Sequence, residues 1–104
     1  MKTLVAIPVY NEEKYVRRVL AHVLQYADDV LVVDDGSTDR TVAALPQLPV
    51  DVIRHHQNQG YGRSLRDAFA WAASRKFDWV ITMDCDEQHE PQSIPDFLAA
   101  AADN

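Results

Sequence analysis

The sequence is short of three things, and each shortage narrows what the chain can be. It has a single cysteine, Cys85, so no disulfide can form within it. A lone thiol fits a reducing compartment and points to the cytoplasm. It has no apolar run long enough to cross a bilayer. The run that opens at Thr3 is cut at Pro8 and is also too short for a secretory signal. Membrane contact, on this reading, is left to an acceptor or to a part outside the chain, with the cytoplasmic membrane face as the place for it. Basic side chains are also few: 10 Lys and Arg stand against 16 Asp and Glu, a net charge of -6. Nucleic-acid binding needs clustered cations to replace the counterions on phosphate, so the balance argues against it. It leaves a nucleotide open, because a few backbone amides and a divalent cation hold a diphosphate on an acidic protein.

What is present describes one soluble globular domain. At 104 residues the chain is long enough for one core and no more. Its 47% apolar content is enough to build that core. Short apolar runs alternate with longer helical patterns, without internal repeat or linker, and this predicts βαβ units around a parallel sheet. Strands are expected over Thr3–Pro8, Val30–Val33, Val50–Arg54 and Trp79–Met83. The second is a continuous apolar run and suits a strand covered on both faces. The third alternates more and suits an edge.

Helices are expected between the strands. Over Glu12–Tyr26, Val16, Val19, Leu20, Val23 and Leu24 recur at helical spacing, with Asn11 as N-cap. A short helix follows Gly36-Ser37-Thr38-Asp39 to about Leu45, ended by Pro46 and Pro49. Another spans Arg63–Lys76 and should bury Leu65, Phe69 and Ala72. A last one carries Pro91 or Pro95 in its first turn. Right-handed crossovers fold this β-α-β-α-β-α-β-α order into a doubly wound, mostly parallel sheet in three α/β/α layers. Ligands in such sheets bind beyond the carboxyl ends of the strands, where strand order reverses. The polar clusters all follow strands: Tyr10-Asn11-Glu12, Asp34-Asp35, His55-His56 and Asp84-Cys85-Asp86. The topology puts them on one rim.

Each cluster has a dull explanation beside its functional one. Asp84 and Asp86 form a D-x-D pair after a buried strand. Two carboxylates plus substrate phosphates make a seat for Mg²⁺ or Mn²⁺, and a cap plus a solvated charge is the equal alternative. Asp34 and Asp35 are costly neighbours unless solvated or paired with a ligand, for example the hydroxyls of a ribose or the N–H of a base. Ser37, Thr38 and Asp39 read as turn and cap residues. Tyr10 offers a flat face to a base, but by itself reads better as a rim aromatic. Asn58-Gln59-Gly60-Tyr61-Gly62 opens a helix and can bring amides near phosphate, or can be a plain loop with a cap. His22 is expected at the surface, and His89 either orients a neighbouring Asp or lies at the surface too. His55 and His56, being adjacent, should diverge rather than share a zinc. Cys85 is a small residue that fits, since nothing marks a base to activate it.

Taken in order, Ala6-Ile7-Pro8-Val9-Tyr10-Asn11-Glu12-Glu13, Val32-Val33-Asp34-Asp35-Gly36-Ser37-Thr38-Asp39, Asn58-Gln59-Gly60-Tyr61-Gly62 and Met83-Asp84-Cys85-Asp86-Glu87-Gln88-His89-Glu90-Pro91 resemble the blocks of family 2 glycosyltransferases of the GT-A fold. The last block is most similar to the dolichol-phosphate (polyprenyl-phosphate) mannosyltransferase branch. The resemblance covers essentially the whole chain. It implies metal-dependent, inverting transfer of a sugar from a GDP- or UDP-sugar, with polyprenyl phosphate as the acceptor that the branch suggests. Pro8, Tyr10 and Glu12 would line the base and ribose pocket, and Asp34 or Asp35 would contact base or ribose. Asp84 and Asp86 would bind the metal and diphosphate, and Gln88 would face the donor sugar or the acceptor phosphate.

Two departures stand out. Many relatives carry a basic residue where Gln59 stands. Their catalytic domains also run to roughly twice this length, in keeping with a larger single core, and the missing half normally supplies the acceptor site and a base. The chain is therefore expected to be the donor half of a longer enzyme, or else a nucleotide-sugar-binding module that does not catalyse. A signalling domain with a phospho-acceptor Asp ranks third, because no late strand offers the Lys it needs. An unpaired fourth strand would also leave an apolar edge open to a second copy of the chain.

Overall fold

The computed structural model describes residues 2–85. Its four strands are β1 (Thr3–Val9), β2 (Val30–Asp34), β3 (Asp51–Arg54) and β4 (Trp79–Thr82). They form one parallel sheet in the order β3-β2-β1-β4. Helix α1 (Val16–Val23) joins β1 to β2, a 3-10 helix (Val42–Gln47) joins β2 to β3, and α2 (Tyr61–Ser74) joins β3 to β4. The chain thus builds outward from β1 through β2 to β3, then returns to the other side of β1 for β4. Strand order reverses between β1 and β4.

The period of two in the strands sorts their apolar side chains onto two faces. Val5, Ile7 and Val9 of β1, with Val30 and Val32 of β2, pack against Val16, Val19, Leu20 and Val23 of α1 and against Ala44 and Leu45. Leu4, Ala6, Leu31 and Val33 point the other way, against Ala68 and Ala72 of α2. Both faces are therefore covered, which is why β1 and β2 read as unbroken apolar runs. Complete burial of a Leu or Val here contributes about 1.5–3 kcal/mol. Edge strand β3 is mostly exposed, as its alternation predicts.

Four details differ from the sequence-based expectation. The α-helix after β1 is shorter than expected, with a turn at residues 13–15 before it and another at 24–26 after it, although its buried stripe is the expected one. Asn11 does not cap it. Asn11 adopts a left-handed backbone, φ 53°, and the cap position falls to Tyr15 without a side-chain bond. The segment before β3 is a 3-10 helix with Pro46 inside it, closed by i to i+3 bonds such as Ala44 N–H to the Thr41 carbonyl at 3.3 Å. Proline has no N–H for an α-helical bond but tolerates the tighter turn. Lastly, α2 buries Ser64, Ala68 and Ala72 rather than Leu65 and Phe69, and Phe69 is 49% exposed. Small residues at i, i+4 and i+8 let the helix backbone lie close on the sheet, where a phenyl ring does not fit. The helix expected after β4 lies outside the described residues.

Candidate functional site

Pairing register decides which residues meet at the rim. Val9 of β1 pairs with Asp34 of β2, and Asp34 with Arg54 of β3, so these strands end level. β4 pairs Thr82 with Ala6 and so leaves the ladder lower down. Met83, Asp84 and Cys85 then climb beside the end of β1, starting from a bond between Met83 N–H and the Ala6 carbonyl at 3.1 Å. A cleft of about 380 Å³ opens there, at the reversal of strand order. Pro8, Val9, Tyr10 and Glu12 line it from the end of β1, Asp35 from β2, Asp84 and Cys85 from β4. Asn58, Gly60, Tyr61 and Ser64 close it from the start of α2.

Of the residues singled out in the sequence, Pro8, Tyr10, Glu12, Asp35 and Asp84 meet in this cleft. Asp34 does not line it. Its side chain is fully buried beneath the turn, accepts a hydrogen bond from the Ser37 hydroxyl, and lies 4.0 Å from the Arg54 guanidinium. Asp86, Gln88 and His89 lie outside the described residues. Cys85 is buried in the cleft wall and in the core beneath it, as a small residue that fits.

The loops around the cleft are tied to one another. Asn11 donates its amide to the Ser37 hydroxyl at 2.9 Å and accepts the Thr38 amide on Oδ1 at 2.8 Å. The Glu12 amide donates to the Thr41 hydroxyl at 2.8 Å. Ser37 and Thr38 are thus turn residues as expected, and they also hold the segment that carries Tyr10 and Glu12.

Asp35 is the centre of a second network. Its Oδ1 accepts the Gln59 amide at 2.8 Å, and its Oδ2 accepts the Gly60 amide at 3.0 Å. Those amides had been candidates for phosphate contact, but the carboxylate uses them instead. Oδ1 also lies 2.8 Å from His55 Nδ1, and His55 Nε2 lies 2.6 Å from Asp67 Oδ2. Asp67 in turn accepts from Arg63 Nε at 3.1 Å. Burial alone would raise the Asp35 carboxyl, but the bonds from His55, Gln59 and Gly60 prevail and hold it below its ordinary value. Burial likewise pushes the His55 imidazole down, and the bonds and charges of Asp35 and Asp67 more than offset this. Asp67 is lowered first by its bond to His55, against the effect of burial, with Arg63 adding to the lowering. The two adjacent histidines do diverge: His55 is buried and His56 is exposed.

Several contributors had no assigned role in the sequence. Tyr61 is 50% exposed and faces the cleft along with Tyr10, at 43%. Ser64 is fully buried in the cleft wall, and its hydroxyl has no hydrogen-bond partner among the described residues. An orphaned buried hydroxyl is costly, and one in the wall of the cleft is a candidate donor to an oxygen-rich ligand. Among the described residues no three His, Cys, Asp or Glu side chains gather to hold a metal by themselves. Asp84 is exposed in the cleft and supplies one carboxylate. That donor set fits a hard cation that takes one or two carboxylates and completes its shell with substrate phosphates and water.

Known proteins match this chain along most of its length. It is 33% identical over 107 residues to the undecaprenyl-phosphate mannosyltransferase of Micrococcus luteus, covering 96% of this chain and 44% of that protein. It is 31% identical over 106 residues to the UDP-N-acetylglucosamine–dolichyl-phosphate N-acetylglucosaminyltransferase of Methanococcus voltae, covering 85% of this chain and 42% of that protein. The chain therefore spans less than half the length of these relatives. Its fold is that of glucosyl-3-phosphoglycerate synthase from Mycobacterium tuberculosis, crystallised with Mn²⁺, uridine diphosphate and glucosyl-3-phosphoglycerate. The TM-score is 0.78 at 23% identity, over 96% of this chain and 39% of that one. The family model for glycosyl transferase family 2 matches residues 4–104, and the chain belongs to that family.

Proposed function

We propose that the cleft binds the donor of a glycosyl transfer, a nucleoside diphosphate sugar, with polyprenyl phosphate as the acceptor. The observation that carries this is the meeting of Tyr10, Glu12, Asp35 and Asp84 from three different strands at the reversal of strand order. Tyr10 and Tyr61 offer aromatic faces to the base. Glu12 accepts from ribose hydroxyls. Asp35 acts at one remove: it fixes the loop that carries Gly60 and Tyr61 and leaves an edge of its carboxylate in the cleft wall. The Ser64 hydroxyl donates to a diphosphate oxygen or sugar hydroxyl. Gln88 would meet the donor sugar or acceptor phosphate.

Asp84, joined by Asp86, would hold Mg²⁺ or Mn²⁺. The metal would supply positive charge against the leaving diphosphate. In the transfer, an acceptor oxygen bonds to the anomeric carbon as that carbon's bond to the diphosphate breaks, with inversion. The proposed setting is the cytoplasmic side of a membrane. Support comes from the relatives named for lipid-phosphate acceptors and from a structural neighbour solved with Mn²⁺ and uridine diphosphate.

A second reading rests on the coverage. The chain matches only 44% and 42% of the two relatives, and its described cleft holds donor-side residues alone. On that reading this chain binds the donor and the rest of a longer protein completes transfer.

Calorimetric titration with GDP and UDP, with and without Mn²⁺, tests donor binding, with Asp84→Asn as the control. Binding of one nucleotide that needs Mn²⁺ and weakens in Asp84→Asn is the expected result. No binding by a folded chain would sink the donor reading. Transfer from the matching nucleotide sugar to polyprenyl phosphate, assayed on the same chain, separates enzyme from binding module.

A further inference from the structure

A second groove, of about 650 Å³, lies between the start of α1 and the segment that leads into the 3-10 helix. Lys14, Arg17 and Arg18 line one wall, and Arg40 lines the other from the start of the 3-10 segment. Ala21, Ala43 and Ala44 give it a small, apolar lining. Lys14, Arg17, Arg18 and Ala21 repeat at i, i+3, i+4 and i+7, a stripe offset by two residues from the buried Val16, Val19, Leu20 and Val23. The four cations are exposed. Glu13 is the carboxylate in the lining, and nearby Asp39 is engaged with the Thr41 and Glu13 amides. On a chain of net charge -6, this places four of its 10 Lys and Arg side chains on one groove.

The walls are fixed to each other. The Glu12 amide bonds the Thr41 hydroxyl at 2.8 Å, and the Glu13 amide bonds Asp39 Oδ2 at 3.3 Å. The groove is also joined to the cleft: Glu12 lines the cleft and the next residue, Glu13, lines the groove.

We propose that this groove docks the chain on the anionic headgroup surface of a lipid bilayer. Four exposed cations spread along an open groove match a surface of many phosphates better than a single buried anion. Nucleic acid shares the phosphate chemistry, but the acidic remainder of the chain disfavours a partner that surrounds it with charge. A bilayer engages one face only. Because consecutive residues Glu12 and Glu13 line the cleft and the groove, docking on the groove sets the cleft beside the headgroup layer, where a lipid-linked phosphate acceptor lies. In this respect the inference rests on the acceptor reading above. It also moves membrane contact onto described residues, where the sequence alone left it to other parts. No helix among the described residues is long and apolar enough to span a membrane.

The test is flotation of the chain with vesicles of equimolar phosphatidylglycerol and phosphatidylcholine, against phosphatidylcholine alone. The expected result is partition onto the anionic vesicles only, lost as ionic strength rises. The double variant Arg17→Glu, Arg40→Glu should lower that partition at least about tenfold, with its thermal unfolding and nucleotide titration unchanged. Arg66→Glu, on the exposed side of α2, makes the same kind of charge change elsewhere and should leave partition as it was. Equal partition onto neutral vesicles, or equal loss in Arg66→Glu, would overturn the proposal. So would displacement by millimolar inorganic phosphate, which marks a single-anion site, or retention on heparin without vesicle binding. Nucleotide titration is read on the same samples, so a failed donor site and a failed docking groove give different results.

Discussion

His55 lies between two carboxylates from different elements, its Nδ1 2.8 Å from Asp35 Oδ1 and its Nε2 2.6 Å from Asp67 Oδ2. A neutral imidazole has one N–H and can donate to only one of them. Both contacts are hydrogen bonds only when the ring is an imidazolium, and the raised pKa of His55 agrees with that. The same Asp35 holds the Gln59 and Gly60 amides, so one buried cation supports the loop that carries Tyr61 into the cleft.

The chain should therefore lose stability on both sides of a plateau. The folded pKa of His55 is raised, so its contribution is fully present below its ordinary value of 6.5 and is lost as pH rises through the folded value. Those of Asp35 and Asp67 are lowered, so their contributions are present above 3.8 and are lost as pH falls through the folded values. Urea unfolding across this range should show both limbs. His55→Gln should cost about 3 kcal/mol at pH 6, because it strips a charged partner from buried Asp35. It should flatten the alkaline limb and also weaken the acid limb, since His55 helps to lower both Asp35 and Asp67. An alkaline limb that survives in His55→Gln would assign it to another group.

Gly36, in the turn after β2, packs against the same loop. Its φ is +77°, and a Cβ there would stand 2.4 Å from the Gln57 carbonyl carbon and 2.5 Å from the Asn58 nitrogen. Both are backbone atoms and cannot rotate away. Gly36→Ala should cost more than about 2 kcal/mol, from strain and from the displaced loop. Nucleotide affinity should fall with it, since Asn58 lines the cleft. Gly62→Ala is the contrast, because nothing lies within 4 Å of a Cβ built there.

The face of α2 can be tested by exchanging bulk. Ala68 is fully buried and Phe69 is half exposed. Ala68→Leu should cost roughly 1–3 kcal/mol by overpacking, and Phe69→Ser should stay within about 0.5 kcal/mol. Thermal unfolding of the two variants decides the matter, and the reverse ranking would place Phe69 in the core.

This pair also shows where the sequence was legible. Four strands, their parallel order along the chain and the stripe Val16, Val19, Leu20, Val23 follow from periodicity, because large apolar side chains mark buried positions. On α2 the buried positions are Ser64, Ala68 and Ala72, which carry no such mark, while Leu65 and Phe69 do. Pro8, Tyr10, Glu12, Asp35 and Asp84 could be found as candidates because Pro8 stands near the end of a strand and the others follow one. Ser64 and Tyr61 enter the cleft from a helix, where that rule is silent. The partners of His55 are 20 and 12 residues away in sequence, and only the packed sheet brings them together. Asp34 and Asp35 look alike as adjacent letters. Alternation along the strand end turns one under the turn and the other to the cleft.

The last prediction concerns β4. Its inner side pairs with β1 from Thr3↔Trp79 to Ala6↔Thr82, and among the described residues nothing pairs with its outer side. Trp79, Val80 and Ile81 are only half buried there. A strand edge with free amides and carbonyls beside apolar side chains is a template for another strand. The chain should therefore self-associate, and light scattering should give a mass that rises with concentration. Ile81→Lys should lower the association, since a charge at an edge blocks pairing. Arg17→Glu, on the exposed side of α1, should not. A monomer mass that is independent of concentration would mean that the outer side of β4 is covered within one chain. A rise abolished equally by Arg17→Glu would place the contact on α1.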